Sequence, residues 1–245
     1  MILELDIGNS RSKWRLLEPN EGAVVSAGIV RDFATLTSRE LVGISPRRVR
    51  VACVRQRQLG ERIRHWSLES WGVDPELAQV QRSLEGLTVF YEDCSRLGVD
   101  RWLAMLAAYR EAQDAAIVID CGTAVTVDFI EPDGHHGGGF IIPGLQLQQR
   151  ALTDYTEIRL SDPGSEPGLA PGHSTDDAVR NGVLFTLVAL LEKATQRERE
   201  DGDTYHQVFL TGGDGLRVSR YLRLSGVTVH AVPALVLDGL AIALP

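Results

Sequence analysis

Apolar residues form two similar blocks along the chain, and each block predicts a β-hairpin. In both blocks a short apolar run ends in an acidic residue and a glycine turn, after which a second apolar run follows. The first block extends from Ile2 to Leu17 and the second from Ile117 to Ile130. Because the blocks lie nearly half a chain length apart, the pattern predicts two related lobes, residues 1–114 and 115–245.

The turns of the two hairpins have a composition suited to phosphate. They read Asp6-Ile7-Gly8-Asn9-Ser10 and Asp120-Cys121-Gly122-Thr123-Ala124. Glycine lets backbone N–H groups approach phosphate oxygens closely, and a neighbouring aspartate can hold a hydrated cation. Ordinary hairpins also carry Asp and Gly in their turns. The duplication favours two turns that grip a nucleotide triphosphate from both sides.

Helical periodicity separates the predicted strands. It predicts helices over Phe33 to Val42, Leu59 to Trp71, Asp100 to Ala112, Ser174 to Arg199 and Pro233 to Leu244. Strands that alternate with helices indicate an α/β fold class.

The helix after Ser174 carries an apolar stripe that looks wider than one core face needs. Its members are Val179, Val183, Leu184, Leu187, Val188, Leu190 and Leu191. Two interpretations remain open at this point. The stripe either packs against a second copy of the chain or is buried within its own lobe.

Composition limits the classes of partner. The chain has 245 residues and a formal net charge of −8, which argues against broad binding to a nucleic-acid backbone. Its three cysteines are widely spaced, so we expect neither disulfides nor a zinc site. No signal peptide or membrane-spanning run is evident, and we expect a cytoplasmic protein. His135 and His136 lie in a polar turn and are expected to be solvated rather than a metal pair.

Further motifs indicate a family. Together with Thr211-Gly212-Gly213, the two hairpins resemble the actin, hsp70 and sugar-kinase superfamily. Within it, Gly98-Val99-Asp100-Arg101-Trp102 and Gly138-Gly139-x-Ile141-x-Pro143-Gly144 resemble the type III pantothenate kinases. The resemblance implies two actin-like (ribonuclease H-like) lobes with an ATP cleft between them. It also implies ATP-dependent phosphorylation of pantothenate, the first step toward coenzyme A, by a homodimer.

The resemblance assigns the phosphate side of the site. Asp6 would position hydrated Mg²⁺ and the triphosphate, and Thr123 would donate its hydroxyl to phosphate. Asp120 would bind a monovalent cation, K⁺ or NH₄⁺, although a second magnesium-water ligand is an alternative for this residue. The residues implied in ATP binding are Asp6, Ile7, Gly8, Asn9, Ser10, Arg11, Ser12, Lys13 and Thr123.

The resemblance also assigns the acceptor side. Asp100 would be the base that takes the proton of the pantothenate hydroxyl, whereas an ordinary helix N-cap is the alternative from local sequence. Arg101 has forked donors that suit a carboxylate or an amide-rich ligand. The residues implied in substrate binding are Tyr91, Gly98, Val99, Asp100, Arg101 and Thr175; Tyr91 alone could instead be a packing residue, and Thr175 a helix cap.

Two other functions remain open. One is a different phosphotransferase or a phosphohydrolase of the same superfamily. The other is a non-catalytic, ATP-binding regulatory protein, since accessory factors for gene expression belong to the same family. The intact set Asp6, Asp100, Arg101 and Asp120 argues against a decayed active site.

Overall fold

The computed structural model describes most of the chain. The described residues are 1–19, 22–31, 35, 41–54, 56–161, 166–197, 199 and 202–245, and residues 56–58 are described by their backbone alone. They divide into two compact units, residues 1–111 with 234–245, and residues 112–233. The helix predicted from Phe33 to Val42 lies almost wholly outside the described residues.

The elements of the first unit are β1 Ile2–Ile7, β2 Ser12–Leu17, β3 Val24–Val30, β4 Arg48–Cys53, α1 Gln56–Trp71, β5 Glu76–Leu77, β6 Ser83–Leu84, β7 Leu87–Thr88 and α2 Val99–Ala112. Five of the strands form a sheet of order β3-β2-β1-β4-β5. Strand β1 pairs antiparallel with β2 and parallel with β4. Strands β6 and β7 form a separate two-stranded ribbon.

The elements of the second unit are β8 Ala116–Cys121, β9 Ala124–Ile130, β10 His136–Pro143, α3 Leu145–Tyr155, α4 Thr175–Thr195, β11 Gln207–Thr211, α5 Gly215–Ser219 and β12 Thr228–Ala231. The strands form a sheet of order β10-β9-β8-β11-β12. Strand β8 pairs antiparallel with β9 and parallel with β11. A last helix, α6 Leu235–Ala243, belongs to the first unit.

The two sheets correspond strand by strand. In each, an antiparallel meander of three strands is followed by two parallel strands on the other side of the first strand. Strand β8 therefore takes in its sheet the place that β1 takes in the other. This correspondence confirms the repeat that the two hairpin sequences predict.

Each unit has its own core, which lies on one face of its sheet and is formed by alternate apolar residues of the central strands. In β1, Leu3, Leu5 and Ile7 are buried together with Val49 and Val51 of β4. In the second unit, alternate residues of β8 and β9 pack against α4.

The carboxyl-terminal helix α6 lies in a different unit from the one that the predicted lobe limits give it. Residues 234–245 belong to the first unit, where α6 contacts β1 and β4. The predicted second lobe, 115–245, includes this segment. Such a long-range return of the chain leaves no local sequence signal.

The interpretation of the α4 stripe as an interface is wrong for most of its residues. Val183, Leu184, Leu187, Val188 and Leu191 pack in the second unit's own core, and Leu184, Leu187 and Leu191 are fully buried. Val179 is also buried but lies outside this core cluster. Leu190 also packs against this core, although it is only partly buried. The stripe is wide because α4 is covered by the sheet on one side and by neighbouring segments beside it, including α3.

Candidate active site

The first hairpin brings the predicted phosphate-binding residues together in one tight turn. Asp6 lies opposite Lys13, and Ile7 opposite Ser12, in the antiparallel ladder of β1 and β2. The Gly8 N–H donates to the Arg11 carbonyl over 3.1 Å. A Cβ atom at position 8 would lie 2.9 Å from that carbonyl oxygen, so the turn requires glycine.

The residues at the tip of this turn are accessible to a ligand. Asn9, Ser10 and Arg11 are exposed, whereas Ser12 is buried at the start of β2. A turn with exposed backbone between two ordered strands can present N–H groups to an anion without large rearrangement.

The second hairpin has the same construction. Asp120 lies opposite Thr126, and the Gly122 N–H donates to the Ala124 carbonyl over 3.1 Å. Thr123 is exposed at the tip, and its carbonyl accepts the N–H of Gly144 over 2.9 Å. This hydrogen bond links the turn directly to the start of α3, because Gly144 is the N-cap residue of that helix.

The third glycine motif packs against the second hairpin. Gly212 has a φ of +91°, and a Cβ atom there would lie 2.5 Å from the Cys121 nitrogen and closer still to the Asp120 carboxylate. The Asp214 N–H donates to the Cys121 carbonyl over 2.9 Å. Glycine at position 212 is thus needed for the Asp120 side chain to keep its place.

Cys121 lies within this cluster but is not reactive. Burial, with smaller contributions from the Asp120 and Asp214 carboxylates, raises the pKa of the Cys121 thiol to about 12. The thiolate is the nucleophilic form of cysteine, and it is scarce at neutral pH here.

The predicted acceptor residues meet at the first turn of α2. Asp100 accepts the backbone N–H of Arg101 through Oδ1 over 2.9 Å. The buried Arg101 guanidinium donates through Nη1 to the Tyr91 hydroxyl over 3.3 Å. Asp100 and Tyr91 are both partly exposed, so a charged or polar ligand can reach them.

Gly98 and Val99 set the position of the Asp100 carboxylate. Helix α2 begins at Val99, which is buried, and Asp100 therefore lies inside the first turn rather than at the N-cap. A Cβ atom at Gly98 would lie 2.5 Å from Asp100 Oδ1. Gly98 therefore leaves the room that this position of the carboxylate needs.

Thr175 is the first residue of α4 and is exposed. Ser174, one residue earlier, is the N-cap and accepts the Asp177 N–H over 3.1 Å. Thr175 is therefore not the helix cap, which was the alternative role for this residue; Ser174 is the cap. Thr175 lines an open, mainly apolar groove of about 650 Å³ between α3 and α4.

The donor set fits a magnesium ion that is carried by its nucleotide. No group of three or more His, Cys, Asp or Glu side chains that could hold a metal occurs in the described parts of the chain. Mg²⁺ usually keeps several waters and binds one or two carboxylates together with substrate phosphates. Asp6 and Asp120, each a single aspartate at one of the two predicted phosphate-binding turns, are of the chemistry that this mode of binding needs.

His135 and His136 were both expected to be solvated, and the structure agrees for His135 only. His135 is partly exposed and pairs with Asp133 over 2.5 Å. His136 is buried, because it begins the edge strand β10, and its Nε2 lies 2.9 Å from the Asp128 carboxylate. The expectation that His136 is solvated is wrong.

Sequence reasoning missed a buried ionic cluster on the sheet of the first unit. Glu4 is fully buried and accepts from Arg15 over 2.5 Å and from Arg50 over 2.9 Å. Arg15 also reaches Asp238 Oδ1 over 2.5 Å and the Leu237 carbonyl over 2.8 Å. One feature of the sequence could have indicated this cluster: Glu4 and Arg15 have opposite charges and lie opposite each other in the two apolar runs of the first hairpin.

Solved structures place this fold in a known class. Over 98% of this chain and 96% of the other, it resembles a protein from Campylobacter jejuni assigned to the Baf family of transcriptional activators, with 21% identity and a TM-score of 0.63. Over 99% and 98%, it resembles a protein from Sinorhizobium meliloti assigned as a 2-dehydro-3-deoxygalactonokinase, with 15% identity and a TM-score of 0.58. With its two corresponding sheets and Asp–Gly hairpins, the chain has the actin-like fold of the sugar kinases.

Sequence comparison narrows this class to one family. The family model described as "Type III pantothenate kinase" matches residues 2–197. A type III pantothenate kinase of Pseudomonas putida (strain W619) is 38% identical over 256 aligned positions, which cover 100% of this chain and 99% of that relative. The chain belongs to the type III pantothenate kinase family.

Proposed function

We propose that this chain transfers the γ-phosphoryl group of ATP to the primary hydroxyl of pantothenate and so begins coenzyme A synthesis. The observation that carries the proposal is the first turn of α2, where Asp100 and Arg101 are held beside Tyr91. The Gly-x-Asp-Arg block that forms this turn is the motif that separates pantothenate kinases from the rest of the fold class. Family membership over the whole length supports the same assignment.

Asp100 acts as the base in this proposal. The pantothenate hydroxyl oxygen attacks the γ-phosphorus, its proton passes to the Asp100 carboxylate, and the bond to the β,γ-bridging oxygen breaks. ADP leaves with that electron pair, and 4′-phosphopantothenate remains. Such catalysis depends mostly on the positioning of the reactants and on charge neutralisation.

Arg101, Tyr91 and Thr175 recognise the acceptor. Arg101 presents a buried, preorganised guanidinium, which can donate paired hydrogen bonds to the pantothenate carboxylate. Tyr91 fixes this guanidinium through its hydroxyl and offers a further polar contact. Thr175 offers an exposed hydroxyl at the start of α4.

The two hairpins bind ATP and its cations. Backbone N–H groups at the exposed tip of the first turn, Asn9 to Arg11, and the hydroxyl of Thr123 contact phosphate oxygens, and Lys13 adds a positive charge. When bound, Mg²⁺ neutralises phosphate charge; Asp6 holds its water shell. Asp120 binds a monovalent cation, K⁺ or NH₄⁺, beside Gly212.

An acceptor-dependent assay tests the function. ADP release is measured with purified protein, MgATP and K⁺, with and without pantothenate. The proposal expects turnover only when pantothenate is present. ATP hydrolysis that is equally fast without an acceptor would favour a phosphohydrolase, and absence of turnover with intact ATP binding would favour a regulatory protein.

We also propose that the protein is a homodimer and that the groove between α3 and α4 faces the partner copy. Family resemblance supports the dimer, and the apolar lining of the groove supports its location. Leu152 lines the groove and remains 36% exposed, and Thr175 lies on the same surface. Burying such a face against a second copy is the commonest arrangement in homo-oligomers.

A matched pair of variants tests this interface. Leu152→Glu is expected to produce a monomer with weakened pantothenate binding, because a charge in an apolar interface must be desolvated. Leu216→Glu, at a 60% exposed residue of α5 outside the groove lining, is the control and should leave the dimer intact. A wild-type protein that is a fully active monomer by light scattering would refute the dimer.

The compartment is proposed on chemical grounds. Within the described residues, Cys53, Cys94 and Cys121 are all free thiols, which suits a reducing cytoplasm that also supplies ATP. No helix in the described part of the chain is long and apolar enough to cross a bilayer.

A further inference from the structure

Helix α6 touches the helix that carries the proposed base. A Cβ atom built on Gly239 would lie 2.9 Å from the Leu103 Cα atom and closer still to the Leu103 carbonyl group. The two helices can approach this closely only because position 239 has no side chain. Leu103 is three residues after Asp100, one helical turn along α2.

The same helix is tied to the strands that carry the phosphate hairpin. Arg15 on β2 donates to Asp238 Oδ1 over 2.5 Å and to the Leu237 carbonyl over 2.8 Å. Arg15 also bonds Glu4 on β1, which is fully buried. Asp238, which precedes Gly239, therefore belongs to the ionic cluster that Arg15 and Glu4 form on the sheet.

The geometry of the strands connects this cluster to the proposed ATP site. Glu4 and Asp6 are two residues apart on β1, and Arg15 and Lys13 are two residues apart on β2. Since side chains alternate along a strand, each pair lies on one face of the sheet. The register pairs Glu4 with Arg15 and Asp6 with Lys13 as successive rungs on that face.

We infer that Asp238 and Gly239 are positioning residues for phosphoryl transfer. Helix α6 holds the first turn of α2, with Asp100 and Arg101, at a fixed distance from the Asp6 hairpin. All of these elements belong to the first unit. The inference rests on the proposed function, because it concerns the alignment of the base with the transferred phosphoryl group.

Gly239→Ala is the first test. The added methyl group has to push α6 and α2 apart at Leu103, and displacements of about 1 Å can reduce turnover about 100-fold. We expect kcat per folded molecule to fall at least about tenfold, while the ATP Kd from direct titration changes less than about twofold. Gly60→Ala in α1 is the control, because its Cβ atom would meet only the end of the Leu77 side chain.

Asp238→Ala is the second test, and it decides the matter if Gly239→Ala does not fold. The Asp238 side chain is 40% exposed, so its loss leaves no empty core. It removes one tie between Arg15 and α6, and we expect kcat to fall several-fold with ATP Kd unchanged. Asp74→Ala, which breaks the exposed Arg64–Asp74 pair of the same unit, is the control and should keep wild-type kcat.

The outcomes separate this inference from the proposed function. A merely structural role would lower the melting temperature but leave kcat per folded molecule at the wild-type value. Wild-type kcat in both variants, measured well below their melting temperatures, would overturn the inference and leave the kinase assignment intact. An inactive wild-type protein would instead contradict the proposed function itself.

Discussion

Replacing Asp100 by Asn separates the chemical role of this carboxylate from its structural one. The Asn side-chain oxygen can still accept the Arg101 N–H that Asp100 Oδ1 accepts over 2.9 Å. Asp100 lies in the first turn of α2, where its charge also interacts favourably with the helix dipole, so loss of that charge should lower the free energy of unfolding by no more than about 1 kcal/mol. The proton acceptor, however, is lost.

Loss of a positioned base reduces turnover by a factor of about 10²–10⁴. This factor corresponds to about 3–5 kcal/mol of transition-state stabilisation. The expected result for Asp100→Asn is therefore a nearly inactive enzyme with a normal melting curve and a normal ATP Kd. Gly98→Ala should act in the same direction, because its methyl group would displace Asp100 Oδ1.

The assay is pantothenate-dependent ADP release, with thermal unfolding measured on the same preparations. Asp93→Asn is the matched control, since Asp93 is exposed and accepts the Ser95 N–H over 2.9 Å in a neighbouring turn. It should keep wild-type turnover. A kcat of Asp100→Asn comparable to wild type, with an unchanged melting curve, would refute the assignment of Asp100 as the base.

The remaining predictions concern the core, the cations and acid stability. Leu187→Ala should lower the free energy of unfolding by about 2–5 kcal/mol in chemical denaturation, because Leu187 is fully buried; unchanged stability together with a lost dimer would restore the interface interpretation. Activity with Mg²⁺ should require K⁺ or NH₄⁺, and full turnover in a buffer with Na⁺ alone would remove the monovalent site at Asp120. A hydrogen bond from Arg48 lowers the pKa of Glu76, so the contribution of this pair is present above the usual carboxyl pKa and is lost as the pH falls through the lowered value. The melting-temperature difference between wild type and Glu76→Gln should accordingly shrink between about pH 7 and about pH 3, and a constant difference would contradict this role.

Local features of the fold were predictable from sequence because they depend on neighbouring residues. The hairpins at Gly8 and Gly122 were visible as glycine turns between apolar runs, and the structure confirms both. The start of α2 at Val99 also follows from a local pattern. In each case the residues that decide the conformation are within a few positions of one another.

Features that depend on distant contacts were not predictable in this way. The α4 stripe around Leu187 indicated burial, but an apolar pattern does not say whether its own sheet or a partner covers it. His136 is buried because it begins β10 beside Asp128. The sequence did not indicate this burial, because His136 directly follows a polar turn. The return of α6 to Arg15 joins residues that are more than two hundred positions apart in sequence.

The candidate site shows the same division. Asp6, Asp100 and Asp120 were predicted from short motifs, because each lies within two residues of the glycine that shapes its turn. Gly239 was not predicted, because only its close approach to the Leu103 backbone distinguishes it from any other helical glycine. Thr175 and Ser174 were ambiguous as caps, since adjacent hydroxyl residues both suit a helix start and only the geometry separates them.

The most direct test of the central claim is identification of the reaction product. Purified protein is incubated with MgATP, K⁺ and pantothenate, and the products are analysed by mass spectrometry and ³¹P NMR. We predict that one phosphoryl group is transferred to the primary hydroxyl of pantothenate, with one ADP formed for each molecule of product. Formation of ADP and inorganic phosphate with unmodified pantothenate would contradict the assignment.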